Sequence, residues 1–157
     1  MPSSLRTALA LLAAAALLLA PALWNGAPIA FFDSGDYIQA AFSLAPDYYR
    51  TLPYSLWLAL AGGRWSLWLP LTAQALVTAW VLLQAVWAFA PARPAAHLAI
   101  LAALLVLGSG LPWFTGQIMP DAFTGLIPLA LAVLAYGDEG DAAAGASFGP
   151  GRGARLL

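Results

Sequence analysis

Asp33 and Asp36 stand three residues apart in Phe31-Phe32-Asp33-Ser34-Gly35-Asp36-Tyr37. A helix starting at Ser34 would put both carboxylates on one face. Such a pair can hold a divalent cation through oxygen ligands. Alternatively, one acid takes a proton from a hydroxyl nucleophile while the other tunes its pKa. The plainer alternative is a capping Asp beside a solvated acid. Asp121 is the second candidate, in Gln117-Ile118-Met119-Pro120-Asp121. It either joins the acids of the first loop or caps a following helix, where the macrodipole favours an anion. Arg50 lies among aromatic residues in Asp47-Tyr48-Tyr49-Arg50-Thr51-Leu52-Pro53-Tyr54. Its guanidinium could grip a phosphate bidentately, or simply pair with Asp47. Arg64 beside two glycines suits an anchor at an interface, and His97 suits a helix end. No Ser or Thr has the His and Asp partners of a hydrolase triad. No phosphate-cradling glycine loop is present.

These residues are set in a very apolar chain. Of its 157 residues, 62% are apolar and 8% are charged. Mean hydropathy is +0.82. An ordinary water-soluble domain has about 25% charged residues, so the composition points instead to an integral membrane protein. The net charge of −1 supplies no basic footprint for nucleic acid. Cysteine is absent, which removes disulfides, thiolate metal sites and a Cys nucleophile.

The expected fold is all-α and membrane-embedded, with about four spans over 5–24, 67–90, 96–111 and 122–136. The first span could alternatively be a signal peptide with Ala20-Pro21-Ala22 at its cleavage site. External loops cover 25–66 and 112–121. In the first of them a short helix over 34–44 and an interfacial helix over 54–61 are expected. Gln74, Thr72, Thr78 and Gln84 are polar positions within the second span and suit helix–helix contacts. The domain ends at Tyr136, and the Gly/Ala-rich segment 137–157 reads as a disordered tail. Arg6, Arg93, Arg152 and Arg155 fall on one side and Arg50 and Arg64 on the other. The positive-inside rule then places both termini in the cytoplasm of a bacterium, with the chain in its inner membrane.

The arrangement resembles the N-terminal part of the C-type-fold polytopic membrane glycosyltransferases, the bacterial mannosyltransferase-like branch. The residues that carry the resemblance are Phe32-Asp33-Ser34-Gly35-Asp36-Tyr37-Ile38, Tyr49-Arg50-Thr51-Leu52-Pro53-Tyr54-Ser55-Leu56-Trp57-Leu58, Gln74-Ala75-Leu76 and Met119-Pro120-Asp121. It implies sugar transfer from a polyprenyl-phosphate donor to an acceptor on the extracytoplasmic face. It implies catalytic roles for Asp33, Asp36 and Asp121, with Asp33 as base. Arg50, Tyr37, Tyr54 and Gln117 would bind substrate. No cofactor is certain, but Asp33 and Asp36 could share a divalent cation. Ser34-Gly35 separates acids that are adjacent in relatives. The family is also much longer, so the resemblance implies a truncated portion that is inactive alone. Expected partners are the lipid bilayer, a lipid-phosphate sugar donor and other membrane helices. The alternative function is a small non-catalytic four-helix membrane subunit or scaffold.

Overall fold

The computed structural model describes residues 3–45 and 52–136. Arg50 and the 137–157 segment lie outside the described residues. The elements are α1 (Ser3–Leu18), α2 (Ala20–Asn25), α3 (Ser34–Ser43), α4 (Leu52–Leu60), α5 (Trp68–Phe89), α6 (Pro94–Gly108), α7 (Leu111–Thr115) and α8 (Asp121–Tyr136). The all-α expectation holds among them.

Helix α5 is the centre of the bundle. It packs against α1, α6 and α8, and α1 also packs along α6. Small residues make these close approaches possible. Ala14, Ala22, Ala75, Ala79 and Ala102 are almost fully enclosed, and Leu18, Leu71, Leu82 and Leu98 fill the space between them. A second apolar cluster forms where α3 and α4 meet the 118–123 segment, around Tyr37, Tyr54, Leu58, Ile118 and Met119.

Local chemistry sets the helix ends. Pro21 has no amide hydrogen for the Leu17 carbonyl, and the helix breaks at Leu19 between α1 and α2. Gly26 closes α2 in the left-handed region at φ 73°. Pro94 opens α6, where its missing amide costs nothing. Nearby, His97 lies within hydrogen-bond distance of the Ala90 carbonyl, 2.8 Å away, tying the start of α6 to the end of α5.

The expectation of four spans is corrected. Among the described residues one helix, α5 with 22 residues, is long and apolar enough to cross a membrane, and 61% of its most apolar window is buried inside the protein. A buried core helix has the same length and composition. Helices α1, α6 and α8 have 16, 15 and 16 residues. At ~1.5 Å per residue each is about 24 Å long or less, against ~30 Å of hydrocarbon. The first expected span is divided at Leu19, and the third stops at Gly108 before α7 begins. A multi-pass protein of a bacterial inner membrane with both termini in the cytoplasm would need several such helices. That localisation, and the lipid bilayer as partner, are corrected with it.

Candidate functional site

The two loops that carry the acids are joined by their backbones. The Ile29 amide donates to the Gly116 carbonyl at 3.0 Å, and the Ile118 amide donates to the Ile29 carbonyl at 2.9 Å. These bonds make a short parallel bridge between Ile29 and Gln117. Ser34 fastens the same junction. Asp33 occupies the cap position of α3 and makes no side-chain capping bond. Ser34 instead lies buried in the first turn. Its hydroxyl donates to the Ile118 carbonyl at 2.9 Å and accepts from the Phe31 amide at 2.8 Å.

Gln74 ties this end of the bundle to α5. Its side-chain amide donates to the carbonyls of Phe114, Thr115 and Gln117 at 3.1–3.3 Å. Its Oε1 accepts from the Tyr54 hydroxyl at 3.2 Å. The side chain is fully enclosed, so every one of these bonds replaces contact with water. One turn later the Thr78 hydroxyl returns to the Gln74 carbonyl at 2.8 Å. Gln74 and Thr78 therefore face inward and are satisfied within the chain, not by a partner. Of the other two polar positions, Thr72 is exposed and Gln84 half-buried.

Aromatic rings complete the junction. Tyr37 meets Tyr54 edge to face, with centroids 5.2 Å apart. Phe123 contacts Tyr54 at 6.4 Å and Trp57 at 5.4 Å. Burial pushes the Tyr54 hydroxyl well above the usual tyrosine range; a hydrogen bond from the Met119 backbone opposes this, and Tyr37 and Asp121 push it further up. Tyr54 is thus held as a neutral hydrogen-bond donor, a form unsuited to take a proton.

The expected site residues therefore divide. Tyr37, Tyr54 and the backbone of Gln117 come together in one packed junction. Asp33 and Asp36 are half-buried at the start of α3, and Asp121 is exposed at the start of α8. Among the described residues no group of three acidic or histidine side chains is placed to hold a metal ion. Arg64 is not a lone interface anchor. Its Nε and Nη2 donate to the last carbonyls of α3, those of Ala41 and Phe42, at 2.8–3.4 Å. Hydropathy singled out Gln74 but not its partners. Thr115 carried no sequence signal beyond its polarity, and Ser34 stood out as a helix start and not as a link to Ile118.

The neutral state of Tyr54 has a pH consequence. Its folded pKa lies above the unfolded value of 10.0. The stability it contributes is complete below that value and is lost as pH rises through the folded one. Replacing Tyr54 with Phe should flatten the alkaline decline in stability above pH ~10. Urea denaturation across pH 8–11.5 (a range spanning ~10) checks this, and an unchanged slope would count against the buried phenol.

No known protein family has a model that matches this chain, and neither a curated protein nor a solved structure matches it. The resemblance to C-type-fold glycosyltransferases is corrected on this ground and on the helix lengths. With it fall the polyprenyl-phosphate sugar donor and the transferase activity.

Proposed function

We propose that this chain is a small non-catalytic helical subunit or scaffold. The observation that carries the reading is the outer face of α6 and α8. Ile100, Leu104 and Leu107 lie on α6 at spacings of four and three residues, and Ile127, Leu131 and Leu134 repeat the pattern on α8. All six are between 58% and 88% exposed. Such spacing lines up side chains as knobs for a facing helix. Exposed apolar stripes of this kind mark interaction sites more often than idle surface.

The rest of the chain is consistent with a scaffold. Tyr37, Tyr54 and the Gln117 backbone are used in packing one end of the bundle. Asp33, Asp36 and Asp121 sit at helix starts, where negative charge opposes the positive end of the macrodipole. In this reading they hold helices in place and do no acid–base work.

The double variant Leu104→Glu with Leu107→Glu tests the proposal. Both side chains are exposed, so the far-ultraviolet dichroism and denaturation midpoint should stay close to wild type. Two charges placed in an apolar helix contact should weaken association about 100-fold or more, read as loss of the assembly on native gels. An assembly that survives both charges unchanged would rule out this face.

A further inference from the structure

A groove of about 400 Å³ lies between the end of α3 and the turn that follows α4, lined by Leu44, Ala59, Leu60, Gly62, Arg64 and Trp65. We infer that this groove binds the alkyl chain of a single-chain carboxylate, with Arg64 holding the head group. The inference is independent of the scaffold reading, since it concerns a different surface.

Among the described residues, Arg64 is the one charged side chain in the lining. Its Nε and Nη2 are fixed on the carbonyls of Ala41 and Phe42, which locks the guanidinium plane. Among the described residues, Nη1 has no acceptor, and no carboxylate pairs with this side chain. One fixed cation with two free N–H groups matches a singly charged oxygen anion.

The walls specify what the anion carries. Leu60 and Trp65 are 86% and 88% exposed on the rim. Such walls gain most from a long apolar body. A peptide strand would need backbone donors, and three of the lining amides are already engaged. The amides of Leu44, Gly62 and Trp65 already donate to the carbonyls of Ala40, Ala59 and Gly62. An alkyl chain asks for none.

The turn that carries Gly62 has a fixed backbone. Gly62 has φ +87°, and a Cβ there would lie 2.9 Å from Leu69 Cδ1. Leu44, also in the lining, has a left-handed backbone at φ 54°, a conformation that bulky residues rarely adopt.

The test is equilibrium dialysis of the full chain with labelled dodecanoate, kept below its micelle concentration, against dodecyltrimethylammonium. Saturable binding at a single site is expected, with the carboxylate about tenfold or more tighter than the ammonium. Arg64→Gln should erase that preference, and Arg64→Lys should keep it. Leu60→Glu, on an exposed position, should weaken dodecanoate without changing the fold. Equal affinity for the two amphiphiles would overturn the inference, as would wild-type binding by Arg64→Gln or the absence of saturable binding. Arg64→Lys and Leu60→Glu still decide the matter if Arg64→Gln disturbs the end of α3.

Discussion

Replacing Gln74 with Leu should destabilise the protein by about 3–5 kcal/mol. The substitution keeps the volume roughly constant, so packing is not the main loss. What is lost is the set of partners. The Tyr54 hydroxyl loses its acceptor, and the carbonyls of Phe114, Thr115 and Gln117 lose a shared donor. A buried polar group left unsatisfied costs about 1–3 kcal/mol, and the three carbonyls share one amide, so the sum falls below full additivity. At roughly 2–4 °C per kcal/mol for a chain of this size, the midpoint should fall by about 6–20 °C. Gln84→Leu, on the same helix, is the control. Among the described residues the Gln84 side chain makes no hydrogen bond, and the change should be near neutral. A similar small effect at both positions would mean that the Gln74 bonds do not hold this end of the bundle together.

The second large effect is expected at Gly63. Its amide donates to the Leu58 carbonyl at 2.8 Å. A Cβ at this position would lie 2.6 Å from that same oxygen. Both atoms belong to backbone, so no side chain can swing away. Gly63→Ala must open the turn between α4 and α5 and stretch or break the bond. The expected cost is about 2–4 kcal/mol. This turn sets where α4 lies along α5, so Tyr54 should lose its place over Gln74 as well. Gly125→Ala gives the opposite sign. Nothing lies within 4 Å of the added Cβ inside α8, and a helical alanine is better than glycine by about 0.5–1 kcal/mol. Thermal unfolding of the two variants side by side should show a large fall and a small rise. A Gly63→Ala midpoint equal to wild type would show that the turn is not tight.

Much of the helical layout is visible in the sequence. The apolar runs over 67–90, 96–111 and 122–136 match α5, α6 and α8 to within three residues at each end. Proline marks the breaks at Pro21 and Pro94, but the stop at Gly108 falls inside the expected third run. The short helix α7 is hidden, because Leu111-Pro112-Trp113-Phe114-Thr115 is too brief to show a period. What hydropathy cannot give is direction. Leu82 and Leu104 are both plain leucines in apolar runs, yet one is 4% exposed and the other 64%. That gap produced the four-span expectation, since an apolar helix reads the same whether its neighbours are lipid or other helices.

The site was less legible than the helices. Asp33 and Asp36 stand out by charge, but the residue that fastens their loop is Ser34. Its partner Ile118 is 84 residues away, and no local pattern reports a pairing of that separation. Arg64 follows the same logic. Its neighbours Gly62 and Gly63 suggest a turn, but the α3 carbonyls that it caps belong to another element.

The scaffold account rests on α6 and α8 meeting another helix. The direct measurement is a scan with a photoreactive residue placed singly at Ile100, Leu104, Leu107, Ile127, Leu131 and Leu134, with Gln39 and Ala92 as exposed controls. The account predicts one cross-linked species of constant mass from all the stripe positions and none from the controls. Stripe positions that give no adduct, or adducts that form equally from Gln39 and Ala92, would contradict it.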